Sequence, residues 1–408
     1  MILINALLLI LAIALFIPCG MLLLECVSAA LGSLASSSGS GGTGAVIGAA
    51  ADDTFSVAVI MPAHNEAEVI VDTLAALTPQ LLPQDRLIVV ADNCTDATAQ
   101  LARNAGATVI ERTDDVRRGK GYALDCGLRF IAAAPPAAVV IVDADCEFRK
   151  GSMRTLAKDA IASRRPVQGV YLIDRPAQPS LKEAVSSFAF KVKNLVRPLG
   201  FAYLGMPCLL TGTGMAFPWS VMTTVDLASN SIVEDMKLGF DLAIAGTPPR
   251  MCSNVTVVGP LPPSDDDAKT QRTRWEHGHL QLISHYGPRL FGQALMQGRL
   301  DLWAIALDLL IPPLSLLVTL WLGITLFITI ASGLLGAWLP ALICYAAGLA
   351  LAIAIITAWA RFAQADLELK ALLSVPVYIL WKIPVYLKFI TEPQVEWVRT
   401  RRQVQRDK

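Results

Sequence analysis

Closely spaced carboxylates are the residues of this 408-residue chain with the clearest chemical meaning. Asp143 and Asp145 stand two apart in the run VDAD, and Asp92 closes another apolar run. Residues i and i+2 of an extended segment point the same way, so the paired carboxylates can converge on one ligand. Paired hard oxygen ligands favour Mg²⁺ or Mn²⁺ over a softer metal. A turn or strand end that binds nothing is the alternative interpretation.

Glu234 and Asp235 form a second acidic pair, in the segment SIVEDMKLGFDLAIAG. The apolar spacing after them predicts a helix, and acidic residues at a helix N-terminus can simply stabilise its dipole. They could also supply a general base that takes a proton from a hydroxyl group. Lys120 stands between two glycines in GKGYAL, where the backbone could approach a ligand or a helix could begin.

A third cluster, QRTRWEHGHL, contains Gln271, Arg274 and Trp275 and lies shortly before a long apolar stretch. A guanidinium group can hold phosphate oxygens with two parallel hydrogen bonds. An indole ring offers a flat face to the C–H side of a sugar. A basic segment that only meets lipid headgroups is the alternative. No role is assigned to the cluster's other polar residues, which are expected at an exposed interface: Arg272, His277 and His279.

Four short apolar runs must supply the strands that position these residues: SVAVIMPAH (56–64), RLIVVADN (86–93), ATVIER (107–112) and AVVIVDAD (138–145). The helical patterns between the runs predict βαβ units around a mostly parallel sheet. Each run is continuously apolar, so each is expected to be buried on both faces. Ligands of such sheets bind beyond the carboxyl ends of the strands, which predicts Asp92, Asp143 and Asp145 along one edge.

The composition predicts a membrane protein and argues against a nucleic-acid partner. Apolar residues make up 54% of the chain and the net charge is zero. The apolar excess is concentrated in two regions, as expected of membrane spans of about 20 residues. The first of these regions, at the start of the sequence (1–31), lacks the basic n-region of a signal peptide, so a retained transmembrane helix is predicted there. Eight scattered cysteines without a C-x-x-C pair predict reduced thiols rather than disulfides or a zinc site.

The composition also predicts where the domains begin and end. Residues 371–390 carry two prolines and two lysines, which suit an interfacial helix better than a span. A surplus of Lys and Arg over Asp and Glu favours the cytosolic side for the C-terminal tail. The predicted segments are a transmembrane helix (1–31), a Gly/Ser linker (32–54), a globular α/β domain (55–288), an interfacial segment (289–301), two transmembrane helices (302–360), and an interfacial helix with a basic cytosolic tail (361–408).

Taken in order, MPAHNEAE, VVADNCTDAT, RGKGYAL, VDAD, VED and QRTRW resemble the membrane-embedded members of glycosyltransferase family 2. These include the bacterial cellulose, hyaluronan and poly-N-acetylglucosamine synthases. The resemblance covers residues 55–280, and Q-x-x-R-W is its most diagnostic element. It implies a GT-A-like (Rossmann-like) α/β fold, a multi-pass protein of the inner (cytoplasmic) membrane, and a catalytic domain in the cytosol.

The resemblance also implies a role for individual residues. Asp235 would be the catalytic base, with Glu234 beside it. Asp143 and Asp145 would hold the nucleotide diphosphate and its Mg²⁺ or Mn²⁺ ion, and Trp275 would stack on the acceptor sugar. The remaining contacts to the nucleotide sugar would come from Pro62, His64, Glu66, Asp92, Lys120, Gln271 and Arg274.

These roles imply an inverting hexosyl- or N-acetylhexosaminyltransferase that moves a sugar from a UDP-sugar to a glycan, in exopolysaccharide or cell-surface polysaccharide synthesis. A single-addition glycolipid synthase with a lipid acceptor is an alternative, because TGTGMAF (211–217) stands where cellulose synthases have Cys-Gly-Ser. A non-catalytic membrane assembly subunit is another alternative, and a transporter is a weaker one. With only three predicted spans, polymer export would require a second copy of the chain or an export partner. Membrane lipid is a further expected partner.

Overall fold

The computed structural model describes residues 2–38, 54–174, 179–228, 231, 233–261, 264–372, 382, 386 and 389. They form two compact units. The first unit, here called the sheet unit, holds the described residues between Gly44 and Arg175 and between Pro207 and His279. The second, the helical unit, holds those between Met1 and Thr43, between Pro176 and Met206, and between Leu280 and Pro393.

The sheet unit is built on a mixed sheet in the order β3-β2-β1-β4-β7-β6-β8-β5. The pairs β3–β2, β2–β1, β1–β4 and β6–β8 are parallel, whereas β7 runs antiparallel to both of its neighbours and β5 runs antiparallel to β8. The strands are β1 (Val57–Ala63), β2 (Arg86–Asp92), β3 (Thr108–Arg112), β4 (Ala138–Ile141), β5 (Glu147–Phe148), β6 (Val167–Ile173), β7 (Met215–Pro218) and β8 (Arg250–Gly259).

Helices cover both faces of this sheet, which explains why its central strands are apolar throughout. Val57 and Val59 of β1 pack in the core on one face, whereas Ala58 and Ile60 pack on the other. The first face is covered by α2 (Ile70–Leu77), α3 (Thr98–Asn104) and α5 (Ser152–Ser163), and the second by α4 (Lys120–Ile131), α8 (Trp219–Met222) and α9 (Glu234–Ile244). Alternating side chains thus leave both faces apolar.

Two expectations about the strands are wrong. The run at 107–112 is not buried on both faces: β3 is the edge strand, and its residues are exposed or half-buried. Strand β4 ends at Ile141, so Asp143 and Asp145 do not lie in extended backbone. They lie in the turn that follows, where the Cys146 N–H donates to the carbonyl oxygen of Asp143 over 3.1 Å.

The helical unit contains apolar helices that are long enough to cross a membrane: Ile2–Ala35, Leu314–Leu335 and Leu339–Phe362. Its helices are α1 (Ile2–Ser38), α6 (Leu181–Lys191), a π-helical turn (Val192–Val196), α7 (Arg197–Tyr203), α11 (Leu300–Leu309), α12 (Leu314–Leu335), α13 (Leu339–Phe362) and α14 (Leu369–Leu372). One further helix, α10 (Asp265–Gln297), begins in the sheet-unit part of the sequence and ends in the helical-unit part.

The helix ends differ from the predicted boundaries in two places. Helix α1 continues to Ser38, so the first residues of the predicted linker are helical, and Gly32 packs against the ring of Tyr203. Helix α12 begins only at Leu314, because Pro312 and Pro313 cannot continue the preceding helix. Most of the predicted interfacial segment 371–390 lies outside the described residues.

Candidate active site

The order of the strands brings several predicted site residues to one edge of the sheet. Strand β1 lies between β2 and β4, and all three are parallel, so their carboxyl ends meet at the same edge. His64 follows β1, Asp92 ends β2, and Asp143 follows β4. The expectation that Asp92 shares one edge of the sheet with Asp143 and Asp145 is confirmed, because both of the latter lie in the turn after β4.

The turn after β4 gathers ligand atoms that suit a divalent cation. The ligand atoms of Asp143, Asp145 and Cys146 all lie within 4.8 Å of one another. The Asp143 N–H donates to Thr213 Oγ1 over 3.1 Å, which anchors the start of this turn. Two half-buried carboxylates are hard ligands of the kind that Mg²⁺ and Mn²⁺ prefer, so the residues fit such an ion.

Lys120 connects the turn after β4 with the acidic pair of α9. It is the first residue of α4, and its ammonium group contacts the Asp143 carboxylate, donates to the Gly212 carbonyl over 2.8 Å and lies 4.0 Å from Glu234. Burial alone would lower the pKa of Lys120, but the carboxylates of Asp143 and Glu234 outweigh it and raise that pKa. Lys120 is therefore a permanent positive charge in the site.

Glu234 and Asp235 occupy the first turn of α9, where the helix dipole favours negative charge. Burial raises the pKa of Glu234 to about 7, with Lys120 opposing and Asp235 adding to the shift. Gly212 lies against Asp235: a Cβ built on this glycine would stand 3.2 Å from Asp235 Oδ2 and 3.4 Å from Lys120 Nζ. With a φ of +89°, Gly212 also occupies backbone space that favours glycine. Asp143, Glu234 and Asp235 thus gather around Lys120 and Gly212.

A second group of predicted residues holds the ends of β1 and β2 together. His64 Nδ1 lies 2.7 Å from the Asp92 carbonyl oxygen, and a carbonyl only accepts, so Nδ1 carries the proton in this contact. The Asp92 carboxylate accepts from Arg112 over 2.6 Å. The Glu66 N–H donates to Thr98 over 2.8 Å. Pro62 pairs with Val90 at the end of β1.

Helix α10 passes the N-terminus of α9 at close range. A Cβ built on Gly278 would stand 2.8 Å from Val233 Cγ1, and Val233 directly precedes Glu234. Residues three, four and seven apart share a helix face, so Gln271, Arg274 and Trp275 lie on the side of α10 that carries Gly278. Gln271 is buried, whereas Arg274 and Trp275 are half-buried. The Q-x-x-R-W motif thus belongs to the helix face that adjoins the acidic pair.

The histidines of this cluster are not at an exposed interface, so that expectation is wrong. His277 is 1% exposed and His279 is 2% exposed, while Arg272 is half-buried. An exposed position of this segment at the membrane surface was the basis of that prediction. In the structure this part of α10 is covered on more than one side, since Gln271 and Glu276 are buried as well.

A small cavity of about 10 Å³, the size of about one water molecule, lies beside the acidic pair, between α4, β7 and α9. Its polar side is supplied by Asp226, Glu234, Asp235 and Lys237. The rest of its wall is largely apolar and includes Leu124, Met215, Leu227 and Leu238. Apolar side chains therefore lie directly beside the acidic pair.

Three residues at the centre of the site were not predicted from the sequence. Thr213 anchors Asp143, Arg112 pairs with Asp92, and Gln168 binds the backbone around Thr213. The two glycines of TGTG were a signal for a tight turn at 211–214. Gln168 stands inside an apolar run, VQGVYLI, and the sequence carries no sign of its partners.

The part of the chain that carries the candidate site resembles known proteins in sequence. A family model described as glycosyltransferase like family 2 matches residues 55–278. The 4,4'-diaponeurosporenoate glycosyltransferase of Staphylococcus aureus is 38% identical over 105 residues, which are 25% of this chain and 27% of that protein. The chain thus matches only about a quarter of the length of this curated relative.

A solved structure resembles nearly the whole chain. The mannosyltransferase PcManGT from Pyrobaculum calidifontis, determined in complex with GDP-Man and Mn²⁺, aligns over 92% of this chain and 99% of its own. The TM-score is 0.51 at 21% sequence identity, so the likeness shows the fold alone. That fold is GT-A-like, with a mixed, mostly parallel sheet between helices, as the sequence predicts.

Proposed function

Because the chain belongs to the glycosyltransferase like family 2, we propose that it is an inverting, metal-dependent transferase that moves a sugar from a nucleoside-diphosphate sugar to an acceptor at the membrane. One observation carries the proposal. Three distant stretches of sequence meet at Lys120: Asp143 and Glu234 lie beside its ammonium group, and Asp235 lies with it against Gly212. A purely structural ion pair needs only one cation and one carboxylate. This cluster instead combines a candidate base with candidate ligands of the diphosphate.

Asp143 and Asp145 would hold the divalent cation, and Mn²⁺ and Mg²⁺ both suit their oxygens. Such an ion, when bound, neutralises the diphosphate leaving group. Lys120 keeps its charge and contacts Asp143, so it adds a second positive group. Gln271 and Arg274 would bind the diphosphate from α10, because a guanidinium group grips phosphate oxygens in a bidentate manner.

Asp235 would act as the general base. It takes the proton of an acceptor hydroxyl group, the hydroxyl oxygen forms a bond to the anomeric carbon, and the bond from that carbon to the diphosphate breaks. The diphosphate leaves with the electron pair. A single displacement inverts the anomeric centre. Glu234, with its raised pKa, would share a proton at neutral pH and limit repulsion with Asp235.

The nucleoside would bind at the ends of β1 and β2. Pro62, His64, Glu66 and Asp92 lie there, at the edge where ligands of parallel sheets bind. Uridine is the base we propose, from the resemblance of these motifs to UDP-sugar enzymes. A guanosine donor is the second candidate, because the similar mannosyltransferase PcManGT was solved with GDP-Man.

For the acceptor, we propose a membrane lipid that receives one sugar. Three candidate spans and the apolar side chains beside the acidic pair support it, and the relative from Staphylococcus aureus is named for transfer to 4,4'-diaponeurosporenoate. Extension of an exopolysaccharide is the second candidate, favoured by Trp275 within Q-x-x-R-W, since an indole face would stack on an acceptor sugar. In either case we place the chain in the cytoplasmic membrane with the sheet unit in the cytosol, because the tail 361–408 is rich in Lys and Arg.

The test is a transfer assay on the full chain in lipid nanodiscs. It uses Mn²⁺ or Mg²⁺, a panel of UDP- and GDP-sugars, and extracted membrane lipid as acceptor. We expect release of the nucleoside diphosphate with at least one donor and a lipid product carrying one sugar. A product of many sugars would favour the polymer candidate. Absence of release with every donor and acceptor would favour a non-catalytic assembly subunit and contradict the proposal.

A further inference from the structure

Gln168 of β6 is a buried polar residue, 3% exposed, whose side chain binds only backbone groups in the described contacts. Its Nε2 donates to the carbonyl oxygens of Gly169 and Thr213 over 2.8 and 2.9 Å and approaches that of Gly214 at 3.3 Å. Its Oε1 accepts from the Thr211 N–H over 2.9 Å. The nitrogen and the oxygen of the carboxamide therefore both form hydrogen bonds, and most of these bonds go to the turn Thr211–Gly214.

That turn contacts each catalytic element of the site. The Gly212 carbonyl accepts from Lys120, and Gly212 lies against the carboxylate of Asp235. The Thr213 hydroxyl accepts from the Asp143 N–H. A displacement of the turn would thus move all three partners relative to one another.

The strands hold the turn at its Gly214 end, where the Gly169 N–H donates to the Gly214 carbonyl oxygen over 2.8 Å. The pairing of β6 with β7 covers only Val167 with Ala216 and Gln168 with Met215. Directly after it, the register of β6 against β8 is irregular between Gly169 and Val170. Gly212 and Gly214 both have positive φ, and such residues add backbone freedom. Gln168 supplies hydrogen bonds where the ladder ends.

We propose that Gln168 is a positioning residue: its carboxamide fixes the turn Thr211–Gly214 and thereby sets the relative placement of Lys120, Asp143 and Asp235. This inference rests on the proposed function. A shift of about 1 Å at a reacting centre can cost on the order of 100-fold in rate, so the residue would control kcat without touching substrate.

Gln168→Met removes all of the polar contacts at similar length, and Gln168→Glu keeps the acceptor while losing donors. The matched control is Gln80→Met, because Gln80 also binds backbone, with Phe148 and Met153 as partners, but lies away from the turn. We expect Gln168→Met to lower kcat by about 10- to 100-fold with donor KM changed by less than about threefold. Gln80→Met should leave kcat within about twofold.

A pH series separates positioning from general loss of structure. In the Gln168→Glu protein, the new carboxyl group can donate one hydrogen bond when it is protonated, whereas its carboxylate form cannot. The activity of Gln168→Glu relative to wild type should therefore rise as the pH falls from about 8 to about 6, while that of Gln168→Met stays flat.

Hydrogen exchange provides a readout that does not depend on activity. We expect faster exchange at 211–214 in Gln168→Met and not in Gln80→Met. Unchanged exchange there, or equal losses of kcat in the two Met variants, would overturn the inference. If the wild type transfers no sugar, the proposed function fails, and the exchange data still decide whether Gln168 fixes the turn.

Discussion

Lys120 is the side chain that brings the separately predicted parts of the site into one electrostatic unit. It contacts Asp143 and lies within 4.0 Å of Glu234, two residues that are far apart in sequence. A single ammonium group cannot neutralise Asp143, Glu234 and Asp235 together. Burial is the main reason that the pKa of Glu234 is raised, and the negative charge of Asp235 adds to the shift while Lys120 opposes it.

Glu234→Gln should therefore remove a pH dependence of stability. The folded pKa of Glu234 is about 7 against 4.5 for the free side chain, so the folded state keeps a proton that the unfolded state releases. The stabilisation is present below the unfolded pKa and is lost as pH rises through the folded one, by on the order of 1–3 kcal/mol. Denaturant unfolding in EDTA at about pH 5 and about pH 8 measures it. If wild type and Glu234→Gln lose the same stability between about pH 5 and about pH 8, Glu234 is not the group responsible.

Asp145→Asn should weaken metal binding without disturbing the fold. The amide keeps one oxygen but loses the charge, so we expect Mn²⁺ affinity to fall by about tenfold or more. The electron paramagnetic resonance signal of free Mn²⁺ falls as the ion binds, so the bound metal follows by difference. Asp72→Asn, at an exposed carboxylate of α2, is the control and should bind Mn²⁺ like wild type. Equal affinity in all three proteins would remove Asp145 from the metal site.

At the scale of elements, the strands could be predicted because each is a short apolar run that ends in a polar residue. The expected strands at 56–64, 86–93 and 138–145 correspond to β1, β2 and β4. The turn after β4 could not be predicted, because extended backbone and a turn place D-x-D carboxylates equally close. The role of the turn Thr211–Gly214 could not be predicted either. It depends on Gln168, and the residues of the turn that Gln168 binds lie more than 40 residues away in sequence.

Gly278→Ala should disturb the packing of α10 on α9. The added methyl group would stand 2.8 Å from Val233, so either the Val233 side chain or α10 must shift, and a shift of α10 carries the Q-x-x-R-W face with it. We expect a loss of about 1–3 kcal/mol in stability and a fall in kcat. Both should recover partly in the double variant Gly278→Ala with Val233→Ala, which makes room for the methyl group.

The control for this pair is Gly292→Ala in the same helix, where a Cβ would meet nothing within 4 Å. Thermal unfolding and transfer rates of the four proteins measure the effect. If Val233→Ala does not improve the Gly278→Ala protein, the close approach of α10 to α9 is not what limits it.

At the scale of the whole molecule, the helical unit collects segments from three regions of the sequence. A buried charge cluster joins them: Arg197 of α7 donates to Glu25 of α1 over 2.9 Å and contacts the Asp308 carboxylate of α11. The sequence suggested one uninterrupted domain over 55–288, whereas 179–206 falls in the helical unit. The cause is local: Gly200 lies against the backbone of Glu25, which the spacing of apolar residues does not reveal.

Arg197→Met should destabilise the protein more than Asp308→Asn. Removal of the arginine leaves two buried carboxylates without a cation, which costs about 3–5 kcal/mol. Asp308→Asn leaves Arg197 paired with Glu25, so we expect a smaller decrease in stability. Melting temperatures of the purified proteins in one detergent measure the difference. A larger loss for Asp308→Asn would contradict the assignment of Arg197 as the shared partner.

The most direct test of the account is the transfer rate of Asp235→Asn, compared with Asp241→Asn in the same helix. Asp241 lies further along α9 and pairs with Lys237. The substitution Asp241→Asn therefore changes the charge of the helix but leaves the proposed base intact. We predict that Asp235→Asn lowers kcat by about 100-fold or more while donor affinity, measured by calorimetry, stays within about threefold of wild type, and that Asp241→Asn remains active. Equal transfer rates in the Asp235→Asn and wild-type proteins would contradict the central claim that this cluster is the site of sugar transfer.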